Sequence, residues 1–426
     1  MTRPRLSGFA LVDGNSFYCS CERVFDPRLA GRPVLVLSNN DGCAIARTRE
    51  VKALGIAMGD PWFKIRQLCE REGVSAYSSN YTLYGDMSRR VNHVLDDFAP
   101  HTEVYSIDES FLSLDGLRIP DRTAWGQAIR TRVLREVGIP TCVGLGATKT
   151  LAKLGNKAAK DRTDLDGVCD LLDDATCAKV LADFPVGDIW GVGRATEAKL
   201  RRMGVETAGD LCAMPERQAR QALTVVGARI VRELRGEPCL ALELVAPQRK
   251  GMAVTRSFGR RVTDRADLDQ ALSFYAARAA EKLRAHRLCT SDLLAFVQTS
   301  RHDDGPRYAN HATARFIEPV NDTIALVRAA RRLLARLYRP GFRYAKAGVV
   351  LQDLVATDRR QLPLVLDGRR ERRDALSVAA DELNARYGRE AVRIGATGLD
   401  RSWSLKAERR SPAYTTAWAD MPIARA

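Results

Sequence analysis

The sequence lacks the features of a zinc protein, a disulfide-bonded secreted protein and a membrane protein. Its ten cysteines are scattered without a CxxC pair, so neither a zinc site nor a disulfide framework is indicated. No apolar run reaches the roughly 18 residues that a membrane-spanning helix needs. The first residues, MTRPRLSGFALVDGNSF, carry an acidic residue inside their only apolar run, so a secretory h-region is missing. The cytoplasm is therefore the expected compartment.

The sequence also has fewer acidic than basic residues. It contains 52 Asp and Glu and 67 Lys and Arg, which gives a net charge of +15. Residues 1–239 carry 33 basic and 31 acidic residues, residues 240–357 carry 20 and 11, and residues 358–426 carry 14 and 10. A basic surplus of nine in one segment favours a surface that tracks a nucleic-acid backbone. The solvated surface of a protein from an arginine-rich proteome is the alternative.

The length of 426 residues predicts three to five modules, because single cores stop growing near 250–300 residues. The N-terminal part alternates strand and helix signals. Strands are predicted at FALVD (9–13), PVLVLS (33–38), EVYSI (103–107), SFLSL (110–114) and TCVGLGA (141–147). Helices are predicted from about Ser16, over Ala44 to Leu54, over Asn80 to Phe98 and over Trp125 to Val137. If residues 17–79 are an insertion, the remainder follows the ferredoxin-like order βαββαβ.

The C-terminal part begins with DIWGVGRATEAKLRRMGVETAGDL (188–211), which is typical of a helix-hairpin-helix. Gly191 and Gly193 would let backbone amides approach a phosphate at the start of a basic helix, or simply form a tight turn. Residues 240–252 have no clear periodicity and are predicted to be a linker. A small α+β module follows, and then a polar, basic tail with weaker helical signals.

Three acidic residues form the candidate catalytic group. In the βαββαβ arrangement, Asp13 ends the first strand, while Asp108 and Glu109 occupy the tight connection between the second and third strands. Carboxylates that converge in this way repel one another and are usually stabilised by divalent cations, and hard oxygen ligands suit Mg²⁺. Two such ions can promote in-line phosphoryl transfer. The alternative is that Asp13 caps a helix and the other two are turn residues.

The whole chain resembles the Y-family translesion DNA polymerases. The resemblance rests on segments in family order, and the matching stretches are VDGNSFYCSCE (12–22), VLSNNDGCAIARTREVKALGIAMGDPWFK (36–64), SSNYTLYGDMSRRV (78–91), YSIDESF (105–111), VGLGATKTLAKLGNKAAK (143–160), IWGVGR (189–194), RELRGEPC (232–239), RSFGRRVTD (256–264), YAARAAEKLR (275–284) and SPAYTT (411–416). It implies an α+β multidomain right-hand polymerase. Its parts are a palm (1–16 and 80–168), fingers (17–79), a helical thumb (169–240), a linker (241–252), a little finger (253–357) and a C-terminal tail (358–426).

The resemblance also assigns roles in the active site. It implies that Asp13, Asp108 and Glu109 are catalytic and bind two Mg²⁺ ions, with a further oxygen from Gly14. It makes Tyr18 the steric gate that excludes a ribose 2′-hydroxyl, while the neighbouring Phe17 either contacts the nucleotide or packs in the core. The triphosphate-binding candidates are Arg49, Lys52 and Lys160, whereas Lys149 and Lys153 are expected to face DNA or solvent.

The implied partners are primer-template DNA, deoxynucleotides, a UmuD′ dimer, RecA and the β sliding clamp, and no membrane. The candidate DNA contacts are Gly191, Gly193, Arg194, Arg256, Arg260 and Arg261. A peptide QLPLV resembles the short clamp-docking peptide through Gln361, Leu362 and Leu364, but Val365 replaces its final aromatic residue.

Two rival functions remain, a catalytically silent DNA-binding scaffold and a nucleotide cyclase. Silent relatives typically lose the carboxylates, and a cyclase would not need the hairpin-helix or the little finger.

Overall fold

The computed structural model describes residues 7–245, 247–360, 368–399, 401 and 403–423. The chain forms two compact units. Unit 1 consists of residues 1–38, 42–246 and 409–426, and unit 2 consists of residues 39–41 and 247–408. No helix in the described part is long and apolar enough to cross a membrane.

Strands and helices alternate along most of the described chain. The strands are β1 (Phe9–Gly14), β2 (Val34–Leu37), β3 (Ala44–Arg47), β4 (Ser75–Ser78), β5 (Thr102–Val104), β6 (Glu109–Ser113), β7 (Thr141–Gly146), β8 (Val168–Asp170), β9 (Gly251–Val262), β10 (Leu288–Thr299), β11 (Ala309–Val320) and β12 (Tyr344–Ala356). The helices are α1 (Phe17–Phe25), α2 (Arg49–Ala53), α3 (Trp62–Arg71), α4 (Tyr81–Leu95), α5 (Arg122–Val137), α6 (Lys149–Asp161), α7 (Asp174–Asp183), α8 (Arg194–Arg202), α9 (Ala208–Ala213), α10 (Glu216–Leu234), α11 (Arg265–Ala285), α12 (Thr323–Leu337) and α13 (Gly368–Tyr387).

The central sheet of unit 1 has the strand order β5-β6-β1-β7-β8. With α4 and α5 as its crossover helices, the series β1, α4, β5, β6, α5, β7 is the predicted ferredoxin-like arrangement, which is thereby confirmed. The predicted strand over residues 103–107 is wrong in its second half, because β5 ends at Val104. The backbone N–H groups of Tyr105 and Ser106 both donate to the carbonyl of Glu109, which closes a turn there.

A smaller sheet of order β3-β2-β4 lies between α1 and α4 in the chain. The helix predicted from Ala44 to Leu54 is wrong for its first four residues, since Ala44–Arg47 forms β3 and pairs antiparallel with β2. Ala44 and Ala46 are buried while Ile45 and Arg47 are half-buried, and this alternation is that of a strand. Only α2 is helical in this segment.

The rest of unit 1 includes α7 to α10, and α8 and α9 are the two helices that follow the predicted Gly-x-Gly turn. Gly191 has a φ of +92°, a conformation that other residues rarely adopt, so the turn before α8 requires a glycine. Gly193 is the N-cap residue of α8, and Thr207 and Asp210 form a capping box at the start of α9.

Unit 2 contains an antiparallel sheet of order β11-β10-β12-β9, with α11 and α12 packed on it around a single apolar core. This is the predicted small α+β module, although β9 begins at Gly251, two residues before the expected boundary. In the tail, α13 spans 20 residues. It is held to this unit by Asp381, which accepts hydrogen bonds from Arg284 at 2.6 and 2.7 Å. The clamp-peptide residues Gln361, Leu362 and Leu364 lie outside the described residues.

Close packing of α6 on β7 is a requirement of the central sheet. A Cβ atom added at Gly144 would lie 2.1 Å from the backbone nitrogen of Asn156 and 2.3 Å from the carbonyl oxygen of Ala152. Backbone atoms of a packed helix cannot move aside as a flexible side chain can. Gly144 therefore allows the helix to approach the strand.

We predict that Gly144→Ala destabilises the protein by about 3 kcal/mol, because overpacking a core forces backbone shifts. Thermal unfolding followed by circular dichroism checks this. Gly85→Ala is the matched control, since Gly85 lies inside α4 and an added Cβ there would meet no atom outside its own helix within 4 Å. The control should be neutral or slightly stabilising. Equal melting temperatures for the two variants would contradict the packing argument.

Candidate active site

The three candidate catalytic carboxylates lie at one end of the central sheet. In the antiparallel pairing of β1 with β6, Asp13 is directly opposite Glu109. The backbone N–H of Gly14 donates to the carbonyl of Asp108 at 2.8 Å, which continues the pairing by one step. The hydroxyl of Ser106 donates to Oδ1 of Asp108 at 2.6 Å and accepts from the backbone N–H of Glu109 at 3.0 Å. The sequence-predicted convergence of these residues is therefore present.

Two lysines of α6 neutralise part of this negative charge. Nζ of Lys160 lies 2.5 Å from Oδ2 of Asp13, and Nζ of Lys153 lies 2.8 Å from Oε2 of Glu109. Burial raises the pKa of Asp13 to about 7 against the lowering effect of Lys160, and the negative charges of Glu109 and Asp108 add to the rise. The site therefore favours a bound cation.

The expectation that Lys149 and Lys153 face DNA or solvent is wrong. Lys149 is 4% exposed, and its ammonium group lies 2.5 Å from a carboxylate oxygen of Glu103. Lys153 lies over the ring of Tyr105 at 4.4 Å and that of Trp190 at 5.2 Å, in addition to its contact with Glu109. Both lysines are therefore paired with carboxylates inside unit 1. A buried charge requires an opposite charge nearby.

A cavity of about 300 Å³ opens beside the carboxylates. It is lined by seven of the predicted site residues, namely Asp13, Gly14, Phe17, Tyr18, Lys52, Asp108 and Lys160. Arg49 is exposed on α2 and is not among the lining residues. The structure thus brings together two of the three predicted triphosphate-binding side chains, and it does not place Arg49 with them.

Arg47 lines the same cavity and was missed from the sequence. Its guanidinium donates to the carbonyl of Ile56 at 2.8 Å, while its buried Nε has no hydrogen-bond partner among the described residues. A buried, unsatisfied cationic donor beside a cavity is suited to an anion. Read as a strand, residues 44–47 alternate between buried and half-buried positions, and Arg47 falls on the half-buried side. The prediction of a helix over these residues obscured this alternation.

Tyr18 borders the cavity and stacks on Tyr84, with ring centroids 4.5 Å apart and an interplanar angle of 15°. Tyr81 meets the ring of Tyr18 edge-on at 5.9 Å. Burial raises the pKa of Tyr18 to about 12, so its phenol is neutral near pH 7. Phe17 is 4% exposed and belongs to the core, although it also reaches the cavity wall.

The candidate DNA contacts fall in both units. In unit 1, Gly191, Gly193 and Arg194 are exposed at the start of α8. In unit 2, Arg256 is exposed on β9. Two neighbouring arginines of that strand already have acidic partners, since Arg260 pairs with Asp267 at 3.0 Å and Arg261 donates to Asp303 at 2.7 Å.

The carboxylates fit a divalent metal by their chemistry. Within the described residues, no three His, Cys, Asp or Glu side chains form a preformed metal cluster. The donors at this end of the sheet are nevertheless hard oxygens, and ammonium groups of Lys160 and Lys153 supply positive charge to two of them. A metal ion would supply the same sign of charge to the same oxygens.

The comparisons with known proteins agree on the family. Models of the impB/mucB/samB family match residues 12–157 and, for its C-terminal domain, residues 249–364. The family's helix-hairpin-helix motif matches residues 174–205, and a domain of unknown function, DUF4113, matches residues 374–424.

Several relatives align along nearly their whole length. Protein UmuC of Salmonella typhimurium is 45% identical over 97% of this chain and 99% of its own. Protein MucB of Escherichia coli is 42% identical over 98% of this chain and 99% of its own, and DNA polymerase IV of Brucella melitensis is 28% identical over 92% and 86%. Among solved structures, a Y-family DNA polymerase chimera covers 82% of this chain and 99% of its own, at 19% identity with a TM-score of 0.64.

The fold is that of the Y-family DNA polymerases, and together with the similar proteins it makes the chain a DNA polymerase of translesion synthesis. With two family models and relatives above 40% identity along nearly its full length, the chain belongs to the impB/mucB/samB family, which includes UmuC and MucB.

We predict that Arg47→Ala weakens binding of an incoming deoxynucleotide about tenfold, because one charge-assisted hydrogen bond to a phosphate is lost. Single-turnover insertion at varied nucleotide concentration measures this. Arg49→Ala is the matched control, since Arg49 is two residues away but outside the cavity wall. A larger effect of the Arg49 change than of the Arg47 change would contradict the assignment.

Proposed function

We propose that the chain extends primer 3′ ends opposite damaged template bases with low fidelity, as part of the SOS response to DNA damage, with Asp13, Asp108 and Glu109 as its catalytic residues. The observation that carries the proposal is the cavity that Asp13 and Asp108 share with Lys52, Lys160 and Tyr18, with Glu109 directly opposite Asp13 in the strand pairing. A cavity lined by both carboxylates and cations suits a nucleoside triphosphate, whose phosphates need cations and whose reacting phosphate needs metal-binding carboxylates nearby.

The proposed cofactor is a pair of Mg²⁺ ions, held by the three carboxylates and the carbonyl of Gly14. When bound, such ions stabilise charge on the attacking and leaving oxygens of phosphoryl transfer. Arg47, Lys52 and Lys160 would bind the triphosphate. Lys160 would have to exchange its contact with Asp13 for one with a phosphate oxygen. Its side chain is 31% exposed, so we expect this exchange to cost little free energy.

Tyr18 would exclude ribonucleotides. Its ring is fixed by stacking on Tyr84, so it cannot turn away readily from a 2′-hydroxyl on the sugar. Because the pKa of Tyr18 is raised to about 12, the ring carries no charge that would repel the triphosphate near pH 7. Phe17 would support this wall from the core.

DNA binding would be carried by the start of α8 and by the basic module of residues 253–357. The surplus of nine basic residues in residues 240–357 predicts binding to the backbone that weakens steeply with salt and has little sequence preference. Arg256 is the strongest of the three candidates on β9, because Arg260 and Arg261 already have carboxylate partners.

The proposed protein partners are a UmuD′ dimer, RecA and the β sliding clamp. They rest on the family resemblance and, for the clamp, on Gln361, Leu362 and Leu364. A cytoplasmic location is proposed with them. All ten cysteines are free in the structure, which fits a reducing compartment.

We predict that Asp108→Asn lowers Mg²⁺-dependent primer extension by about a thousandfold or more, because the amide removes a negative charge and a hard oxygen ligand. Denaturing gels of extended primers measure activity, and fluorescence anisotropy of a labelled primer-template measures binding. DNA affinity should stay within about twofold, since the carboxylate is not a cationic backbone contact.

The same experiment separates the polymerase from a DNA-binding scaffold. A scaffold would bind DNA in the native form and in the Asp108→Asn variant and would extend a primer in neither. Unchanged extension by the variant would remove Asp108 from the catalytic group.

We predict that Tyr18→Ala raises the frequency of ribonucleotide insertion about tenfold or more, because the side chain beneath the sugar is removed. Insertion of matched deoxynucleotides and ribonucleotides on the same primer-template measures the ratio. Phe63→Ala is a suitable control, since Phe63 is 78% exposed and is not among the cavity residues. An unchanged ratio in Tyr18→Ala would refute the gate.

A further inference from the structure

The last part of unit 1 makes ordered contacts near the end of α1 and the start of α4. Residues 409–414, which we call the strap, fall within the segment matched by the domain of unknown function. The strap is hydrogen-bonded to β4 at Ser78. The N–H of Ser78 donates to the carbonyl of Arg409 at 3.1 Å, and the N–H of Arg409 donates to the hydroxyl of Ser78 at 3.0 Å. At its other end, Tyr414 stacks on Phe25 of α1 at 4.9 Å with nearly parallel rings.

Between these two attachments, Ser411 enters a buried polar cluster. Ser411 is only 6% exposed. The hydroxyl accepts from Nδ2 of Asn80 at 3.0 Å and donates to Oε1 of Glu22 at 3.1 Å. Asn80 is also the N-cap residue of α4, where its Oδ1 accepts from the N–H of Leu83. Ser411 thus joins the first turn of α4 to α1.

The cluster continues to the proposed steric gate. The same oxygen of Glu22 accepts a hydrogen bond from the phenol of Tyr84 at 2.7 Å, and Glu22 and Tyr84 are 2% and 0% exposed. Tyr84 in turn stacks on Tyr18 at 4.5 Å. A buried carboxyl needs these donors, because an unsatisfied polar group in the interior is costly.

We propose that the strap fixes the position of the Tyr18 ring, through Ser411, Glu22 and Tyr84, and so sets the discrimination between deoxyribose and ribose. The proposal rests on the proposed role of Tyr18 as gate. The three linking side chains are positioning residues, since Ser411 and Glu22 do not reach the cavity and Tyr84 supports the face of the gate ring. A gate excludes a hydroxyl only while its ring is held in place, and a ring free to tilt would admit the larger sugar.

Ser411→Ala and Tyr84→Phe test this in the full-length protein. Each removes one hydroxyl from the chain of contacts, and Tyr84→Phe leaves the aromatic stack. We expect each to lower the ratio of deoxynucleotide to ribonucleotide insertion efficiency about fivefold, the factor that corresponds to one hydrogen bond. Ser411→Thr retains a hydroxyl and should keep the native ratio. Trp418→Ala is the matched control, since Trp418 lies in the same tail outside the strap and is 90% exposed.

The insertion ratio separates positioning from general stability, because a loosened fold would lower both insertion efficiencies together. Unchanged ratios in both Ser411→Ala and Tyr84→Phe, with a lowered ratio in Tyr18→Ala, would overturn the strap's role and leave the gate intact. An unchanged ratio in Tyr18→Ala would remove the gate itself, and the proposal with it.

The double variant Tyr18→Ala/Ser411→Ala adds a second check. If the strap acts through the gate ring, removing Ser411 should have no further effect on the ratio once the ring is gone. A further drop of about fivefold would show that the strap acts elsewhere and would overturn the proposal.

Discussion

Repulsion among the carboxylates at the end of β1 and the start of β6 is the constraint on which the site depends. Asp13 and Glu109 are held opposite each other by the backbone register, so their side chains cannot separate without loss of strand pairing. In an interior of low dielectric, such a concentration of charge is tolerated only with opposite charge nearby. Lys160 and Lys153 provide it. The same need makes this end of the sheet suited to metal ions and to a triphosphate.

Helix α6 can meet this need because its lysines lie on one face. Lys149, Lys153 and Lys160 are four and then seven residues apart, which places them along one side of the helix. Each has its own acidic partner, and these are Glu103, Glu109 and Asp13. The alignment depends on close contact with β7, which the absence of a Cβ at Gly144 permits. Close packing of α6 on β7 thus holds the lysines beside the carboxylates that they neutralise.

The sequence predicted the features that depend on local patterns. The periodicities located the strands and helices of the βαββαβ core, and their ends placed Asp13, Asp108 and Glu109 together. The failures have physical causes. A short segment such as Ala44–Arg47 has helix-compatible composition but becomes a strand because β2 offers pairing partners, an effect of tertiary context. Lys149 and Lys153 were expected to face DNA or solvent, where lysine is usually found, whereas each is paired with an acidic side chain distant in sequence.

Contacts between residues far apart in sequence explain what local patterns cannot. Glu22 and Ser411 are 389 residues apart, so neither could be paired with the other from spacing. Without Ser411, Glu22 is a buried carboxyl in a helix near the start of the chain, and its burial has no evident reason. With Ser411 and Tyr84 it becomes the acceptor that two hydroxyl groups share. Because this acceptor bonds the tyrosine on which Tyr18 stacks, the surroundings of the proposed gate are complete only when the C-terminal strap is in place.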